Sequence, residues 1–171
     1  MSEIFKSISP EDISENVFKL IGEDWTLITA GTLEKHNTMT ASWGGFGVLW
    51  GKKVAFIFVR PQRYTYEFLE KQNNFTLSFF GQEYRDVLKL CGSKSGRDIN
   101  KVAEAGITPI GEMPGKVYFK ESRLVIITKK LYFQDINPEN FLDPEIAKNY
   151  PGKDYHRLYI GEIENVLIKN D

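Results

Sequence analysis

Along most of this chain, strand-like segments succeed one another without the regular helical crossovers that parallel strands require. "WTLITAGT", "HNTMTAS", "GFGVLW" and "KVAFIFVR" come first, joined by glycine turns around Gly44, Gly45 and Gly51. "NFTLSFF", "KVYFKES", the long "RLVIITKKLYFQDI" and "YHRLYIGEIENVLIK" follow later. Such an order favours an antiparallel barrel with a few peripheral helices over a doubly wound parallel sheet. A dinucleotide-binding Rossmann unit would also need its glycine fingerprint. "GGFGVLWG" supplies two of the three glycines and has Trp50 where the third belongs, so that reading fails.

The helical period appears only in short pieces. "SISPEDISENVFKLIG" predicts one helix with Ser9 as N-cap, Pro10 in its first turn and Gly22 at its end. Ile13, Val17, Leu20 and Ile21 fall on one face, which should lie on the sheet. "RYTYEFLEKQ", "YRDVLKLCG" and "INKVAEAG" predict three more helices, the last capped by Asp98. "NPENFLDPEIAKNYPGKD" is a long, turn-rich insertion, and insertions of that length in a compact domain carry function more often than not. With 171 residues, no repeat and no linker, the chain reads as a single domain over 1–171.

Composition narrows the partners. The net charge of -1 lacks the basic excess a nucleic-acid binder uses against phosphates, so no nucleic acid is expected and any anion site must be local. No run approaches a membrane-spanning length, and the N-terminal residues show no leader pattern. Cys91 is the sole cysteine, which suits a reducing compartment; the expectation is a cytoplasmic protein. Near a helix end, Cys91 reads as a small core residue. The two histidines, His36 and His156, form no zinc-binding spacing, and no metal is expected.

Three segments concentrate polar chemistry. In "NTMTASWGG", the small side chains from Asn37 to Ser42 leave main-chain N–H and C=O groups accessible, as a planar heterocycle would need. The same composition also suits an edge strand entering a turn. In "RPQRYT", Arg60, Arg63 and Thr65 surround a helix N-terminus and could take a phosphate, or form a plain strand-to-helix turn. "SKSGRD" is a donor-rich loop with the same two readings, and its spacing is not that of a Walker loop. His156 follows the long insertion, near a rim where a second substrate could enter.

"NTMTASWG", "RPQRYTYEFLEKQNNFTLSFF", "CGSKSGRDINKVAEAGI" and "HRLYIGEI" occur in an order that resembles the flavin reductase-like, FMN-binding split-barrel family, and most of all its flavoredoxin-like members. The resemblance runs from about Trp25 to Ile163. It implies a mainly β, six-stranded antiparallel split barrel of Greek-key type, a homodimer, and bound FMN. Carried over position by position, it implies that Asn37, Thr38, Met39, Thr40, Ala41 and Ser42 line the isoalloxazine. Arg60, Arg63, Tyr64 and Thr65 would hold the ribityl phosphate, with Ser95, Gly96, Asp98 and Lys101 completing that end. Phe79 and Phe80 would be wall residues. The implied activity is passage of hydride or electrons from NADH or NADPH through FMN to a small-molecule or protein acceptor, with His156 positioning the nicotinamide or acceptor and Arg157 assisting. An FMN electron carrier without nicotinamide turnover, or a barrel for another ligand, are the alternatives.

Overall fold

The computed structural model describes residues 4–111 and 116–170, so part of the "TPIGEMPG" connection lies outside the described residues. Ten strands are present: β1 (Phe5–Ile8), β2 (Thr26–Gly31), β3 (His36–Ala41), β4 (Gly44–Leu49), β5 (Lys52–Val59), β6 (Asn74–Phe79), β7 (Pro109–Ile110), β8 (Tyr118–Phe119), β9 (Leu124–Asp135) and β10 (Arg157–Lys169). Helices are few: α1 (Val17–Lys19), α2 (Tyr64–Lys71), α3 (Arg85–Ser93) and α4 (Lys101–Ala105).

The main sheet runs β3-β2-β6-β9-β10-β5-β4, with β1 paired to β10. Every pairing is antiparallel. The two strands at the ends of this order, β3 and β4, are consecutive in the chain and separated only by Ser42 and Trp43. The sheet therefore closes on itself through a covalent link where a hydrogen-bonded ladder is missing, which makes it a split barrel. Taking β3 and β4 as one bent strand leaves six around the ring, the expected number; β1 and the small β7-β8 ribbon are additions.

Inside the ring, alternate residues of each strand meet. Ile28 and Ala30, Ala55, Ile57 and Val59, and Phe75, Leu77 and Phe79 share one core with Leu69 from α2. The opposite face of β2 gives Leu27 to a second cluster with Leu88 and Cys91 of α3 and Phe119 of β8. That second cover explains why β2 is buried throughout instead of alternating with exposed residues. Phe79 and Phe80 are almost fully buried, one in each cluster, so they are core residues and not ligand-facing walls.

The long strands bend to complete the ring. Pairing of β10 with β9 shifts register between Ile160 and Gly161 and again between Ile163 and Asn165. Gly161 is needed at the first shift: a Cβ there would stand 2.8 Å from the Phe75 ring and from Thr128. The β4–β5 hairpin turns through Trp50 and Gly51, with φ of 54° and 71°, a primed turn that matches the twist of the strands.

The first predicted helix is not continuous. Ser9 and Pro10 open only a 3-10 turn, Pro10–Asp12, after which Ile13 is extended. A new start at Asn16, whose side chain accepts from the main-chain N–H of Phe18 and Lys19, begins α1 and the wider turn through Asp24. The predicted apolar face nonetheless packs on the barrel core through Ile13, Val17, Leu20 and Ile21. Likewise α4 is capped by Asn100, which accepts from the Ala103 N–H, and not by Asp98.

Gly161→Ala is expected to cost about 1–3 kcal/mol by overpacking the bend against Phe75 and Thr128. A lower urea midpoint with an unchanged slope would show it; an unchanged midpoint would mean that the bend has room to spare.

Candidate functional site

The edge strand β3 has a sheet partner, β2, on one side only, so the main-chain groups along its other edge are free for other partners. Against that edge come α3, the loop after it, the start of α2 and α4. Together they enclose two adjoining cavities. Asn37, Arg63, Thr65, Ser95, Gly96 and Lys101 line the first, of about 110 Å³. Met39, Thr40, Ala41, Ser42 and Trp43 line the second, of about 210 Å³, together with Phe58, Arg60, Arg63 and His156. Arg63 belongs to both.

The first cavity is positive, and Arg63 and Lys101 have no acidic partner among the described residues. The Lys101 ammonium is buried and donates to the main-chain carbonyls of Thr38 at 2.9 Å and Cys91 at 2.8 Å. Two of its three N–H bonds are used there. Burial, and then the like charge of Arg63, push its pKa down to about 8. Arg63 donates from Nη1 to the Gly92 carbonyl at 2.9 Å, while its buried Nη2 has no hydrogen-bond partner among the described residues. Burial and then Arg60 press its pKa downward too. Such a buried, unneutralised donor is costly unless an anion takes it up.

The neutral wall of this cavity is fitted closely. Asn37 donates from Nδ2 to the fully buried Thr65 hydroxyl at 2.8 Å. Thr65 then still has its own O–H to donate. Gly96 lies directly against Asn37: a Cβ there would come to 1.9 Å from Asn37 Oδ1. Only glycine lets the "SKSG" loop approach so near. The Ser95 hydroxyl accepts from the Arg97 N–H at 3.2 Å.

At the second cavity, small residues make the floor and aromatic ones the rim. Thr40 is turned away, its hydroxyl donating to the Leu88 carbonyl of α3. His156 is buried, with Trp43 at 5.1 Å and Phe58 at 6.5 Å between ring centres. Its pKa is pushed down to about 4, by burial first and Arg60 second, so the imidazole is neutral at physiological pH. Tyr150, from the long insertion, holds His156 Nδ1 at 2.8 Å. Arg60 donates to Asp154 Oδ2 at 2.6 Å and to the Asn149 carbonyl at 2.9 Å, and lies 5.1 Å over the Tyr150 ring.

Most residues singled out from the sequence thus meet at one place. Besides Phe79 and Phe80, five depart from their expected positions. Asn37 lines the first cavity, not the second, because its amide is held against the Thr65 hydroxyl of α2. Arg60 lines the second cavity, not the first, because Asp154 and Asn149 draw it across. Asp98 lines neither; it borders a wider, more open groove that shares Asn37, Tyr64, Gly96 and Lys101 with the first cavity, since the loop turns as its N–H reaches back to the Ser95 carbonyl. The Thr38 hydroxyl points into the barrel wall, donating to the Ile28 carbonyl at 3.2 Å, and only its carbonyl serves the site. Arg157 alternates to the opposite face from His156, where it pairs with Asp135 and Glu70 and lies against Phe133. The sequence reading missed Trp43, Phe58, Tyr150 and Asp154. Trp43 stands inside the very stretch that was singled out, and Tyr150 and Asp154 stand inside the insertion.

Comparison with solved structures shows where this architecture recurs. Flavoredoxin of Desulfovibrio vulgaris (Miyazaki F) superposes with a TM-score of 0.67 at 21% identity, over 95% of this chain and 78% of that one. An FMN-binding domain of a flavin reductases-like enzyme from Shewanella baltica OS155 gives 0.67 at 17% identity, over 96% and 77%. An FMN-binding protein from Thermus thermophilus with bound 1-cyclohex-2-enone gives 0.64 at 18% identity, over 94% and 76%. At these identities the likeness is one of fold. No curated protein matches the chain. Residues 19–171 match the family described as the flavin reductase like domain, nearly the whole sequence. The chain belongs to the flavin reductase-like family.

Proposed function

We propose that this protein is an FMN-dependent oxidoreductase of the flavin reductase or flavoredoxin type, drawing on NADH or NADPH and serving a small-molecule or protein acceptor. The observation that carries the reading is the shared residue, Arg63: a small cationic cavity and a wider, small-residue cavity adjoin along the free edge of β3 and meet at its guanidinium. A phosphate at one end and a flat ring at the other match that pair of shapes and charges.

The residues fit FMN. Arg63 Nη2, the third N–H of Lys101 and the hydroxyls of Thr65 and Ser95 would hold its phosphate. The strand Met39–Ser42 would face the ring, its free-edge N–H groups addressing ring heteroatoms. When bound, FMN supplies the electron-transfer chemistry. The protein's part is to orient it, exclude water with Trp43 and Phe58, and stabilise negative charge with Arg60 and Arg63. Neutral His156 offers a polar contact to the nicotinamide or another acceptor; carbonyl compounds are one acceptor class, given the enone bound by the Thermus thermophilus relative. A homodimer belongs to the same proposal. Val48 and Trp50 on the β4 hairpin, with Tyr132 and Phe133 of β9, expose apolar surface that a second copy could cover. A cytoplasmic setting, with reduced nicotinamide at hand, fits the same reading.

The electron-carrier alternative draws on the insertion, where fully exposed Leu142 stands among Glu139, Asp143 and Glu145, beside the segment that reaches the ring cavity. An anaerobic experiment separates the two. Rapid bleaching of FMN-loaded protein by NADH or NADPH supports the reductase; bleaching by dithionite alone supports the carrier.

Arg63→Ala is expected to weaken FMN binding by about 1.5–3 kcal/mol, the worth of a charged hydrogen bond, as read by calorimetric titration. Unchanged affinity would remove Arg63 from the phosphate. FMN affinity should also fall as pH rises through about 8. Below that value Lys101 already carries its proton; above it, the free protein has lost the proton that the complex retains, so binding requires proton uptake. The slope should approach roughly tenfold per pH unit, and a flat profile from pH 7 to 9 would contradict a phosphate contact by Lys101. His156→Ala should retain FMN yet slow anaerobic reduction by NADH or NADPH; a normal rate would leave His156 without a role.

A further inference from the structure

Nothing in the family match or in the comparisons assigns a part to the insertion between β9 and β10. Its residues nevertheless hold two side chains that line the ring cavity, Arg60 and His156. Tyr150 is buried and fixed on three sides: stacked on Phe141 with ring centres 6.0 Å apart, 5.0 Å from Tyr155, and beneath the Arg60 guanidinium at 5.1 Å. From that setting its hydroxyl meets His156 Nδ1 at 2.8 Å.

This contact has a direction. A phenol O–H is both donor and acceptor, and neutral imidazole has one nitrogen of each kind. If Nδ1 carried the proton and donated, the Tyr150 O–H would have nothing to donate to, since among the described residues the hydroxyl meets no acceptor other than His156 Nδ1. Unmet buried donors are costly, so the phenol donates and Nδ1 accepts. The remaining ring proton then sits on Nε2. His156 lines the ring cavity, and Nε2 is the ring nitrogen that Tyr150 leaves free for it. We propose that Tyr150 is a positioning residue that holds His156 in the Nε2–H tautomer, so that the ring cavity offers a neutral hydrogen-bond donor to a carbonyl oxygen of the second substrate.

Neutrality matters as much as direction. Arg60 and Arg63 are the cations around His156, and Asp154 stands behind Arg60. Burial and Arg60 together keep a third positive charge off the ring. A neutral donor binds a carbonyl without pulling in the anions that an imidazolium would attract. The recognised class is therefore uncharged at its point of contact: a carboxamide such as that of nicotinamide, an enone or an aldehyde. That the cavity receives a second substrate rests on the function proposed above; the tautomer does not.

The test has two independent parts. Nitrogen-15 spectra of histidine-labelled protein, without cofactor, report the tautomer directly; with two histidines in the chain, His156→Gln assigns the signals. The expected result is Nε2–H for His156 at neutral pH, giving way in Tyr150→Phe to a mixture that takes up a proton at higher pH. An Nδ1–H tautomer in the unmodified protein overturns the proposal, and needs no variant to fold. The second part titrates FMN-loaded protein with 4-hydroxybenzaldehyde and with 4-methylphenol, which lacks the carbonyl. Preference for the aldehyde by about tenfold, lost in Tyr150→Phe while FMN affinity is kept, is the expected outcome. Equal binding, or no binding of either, overturns the carbonyl contact. Loss of FMN from the unmodified protein would instead count against the proposed function, with the tautomer result still standing.

Discussion

Two cations, the half-buried Arg63 with its buried Nη2 and the buried Lys101, share one cavity with no carboxylate among the described residues to neutralise them, and much of the site is arranged around that fact. Burial weakens the hold of both on their protons, with Arg63 adding to the effect on Lys101 and Arg60 to that on Arg63. A protein keeps such a pair only where something recovers the cost of desolvation. Part is recovered by main-chain carbonyls of Thr38, Cys91 and Gly92, which come from β3 and α3 and so bind those two elements together. An anion accepting from Arg63 Nη2 would recover the remainder. The same tether sets the distance between α3 and the edge of β3, and hence the width of both cavities.

The barrel makes this possible by leaving one seam open. Were β3 and β4 paired, the main-chain groups of Asn37–Ser42 would be spent on the ladder. Because they are joined end to end instead, the seam keeps an edge available while the chain link keeps the ring closed. Small side chains along that edge, and glycine at position 96, let other backbone come close. The bulk that follows, Val48 and Trp50, belongs to a hairpin whose outward face is apolar. The stretch "NTMTASWGGFGVLW" thus serves as a cavity wall in its first half and a hairpin in its second.

How far this was legible from sequence follows from what kind of contact each feature depends on. The strands β3 to β6, β9 and β10 announce themselves through alternation and glycine turns, which are local, while β2, covered on both faces, shows only as a short apolar and β-branched run. The apolar face of the first helix was legible for the same reason, although the break after Asp12 was not: Ser9–Pro10 and Asn16 are both good starts, and periodicity cannot tell one helix from two short turns. Asp98 and Asn100 are equally plausible caps, and only the turn back to Ser95 decides between them. The cationic cavity could be anticipated because its residues cluster in two short segments. The pairing of Arg60 with Asp154, 94 positions away, and of Tyr150 with His156 across the turn that ends the insertion has no periodic signature. Composition could mark the insertion as functional; it could not say which of its side chains reach inward.

In the proposed complex the small cationic cavity anchors a phosphate while the adjoining one takes a ring. Calorimetric titration with FMN and, separately, with riboflavin, which has the same ring and no phosphate, tests it most directly. If Arg63 and Lys101 each give a charge-assisted hydrogen bond, FMN should bind at least roughly a hundredfold more tightly, because about 1.4 kcal/mol corresponds to each factor of ten. Equal affinity for the two would contradict the account, since the buried cations would then have no anion to meet.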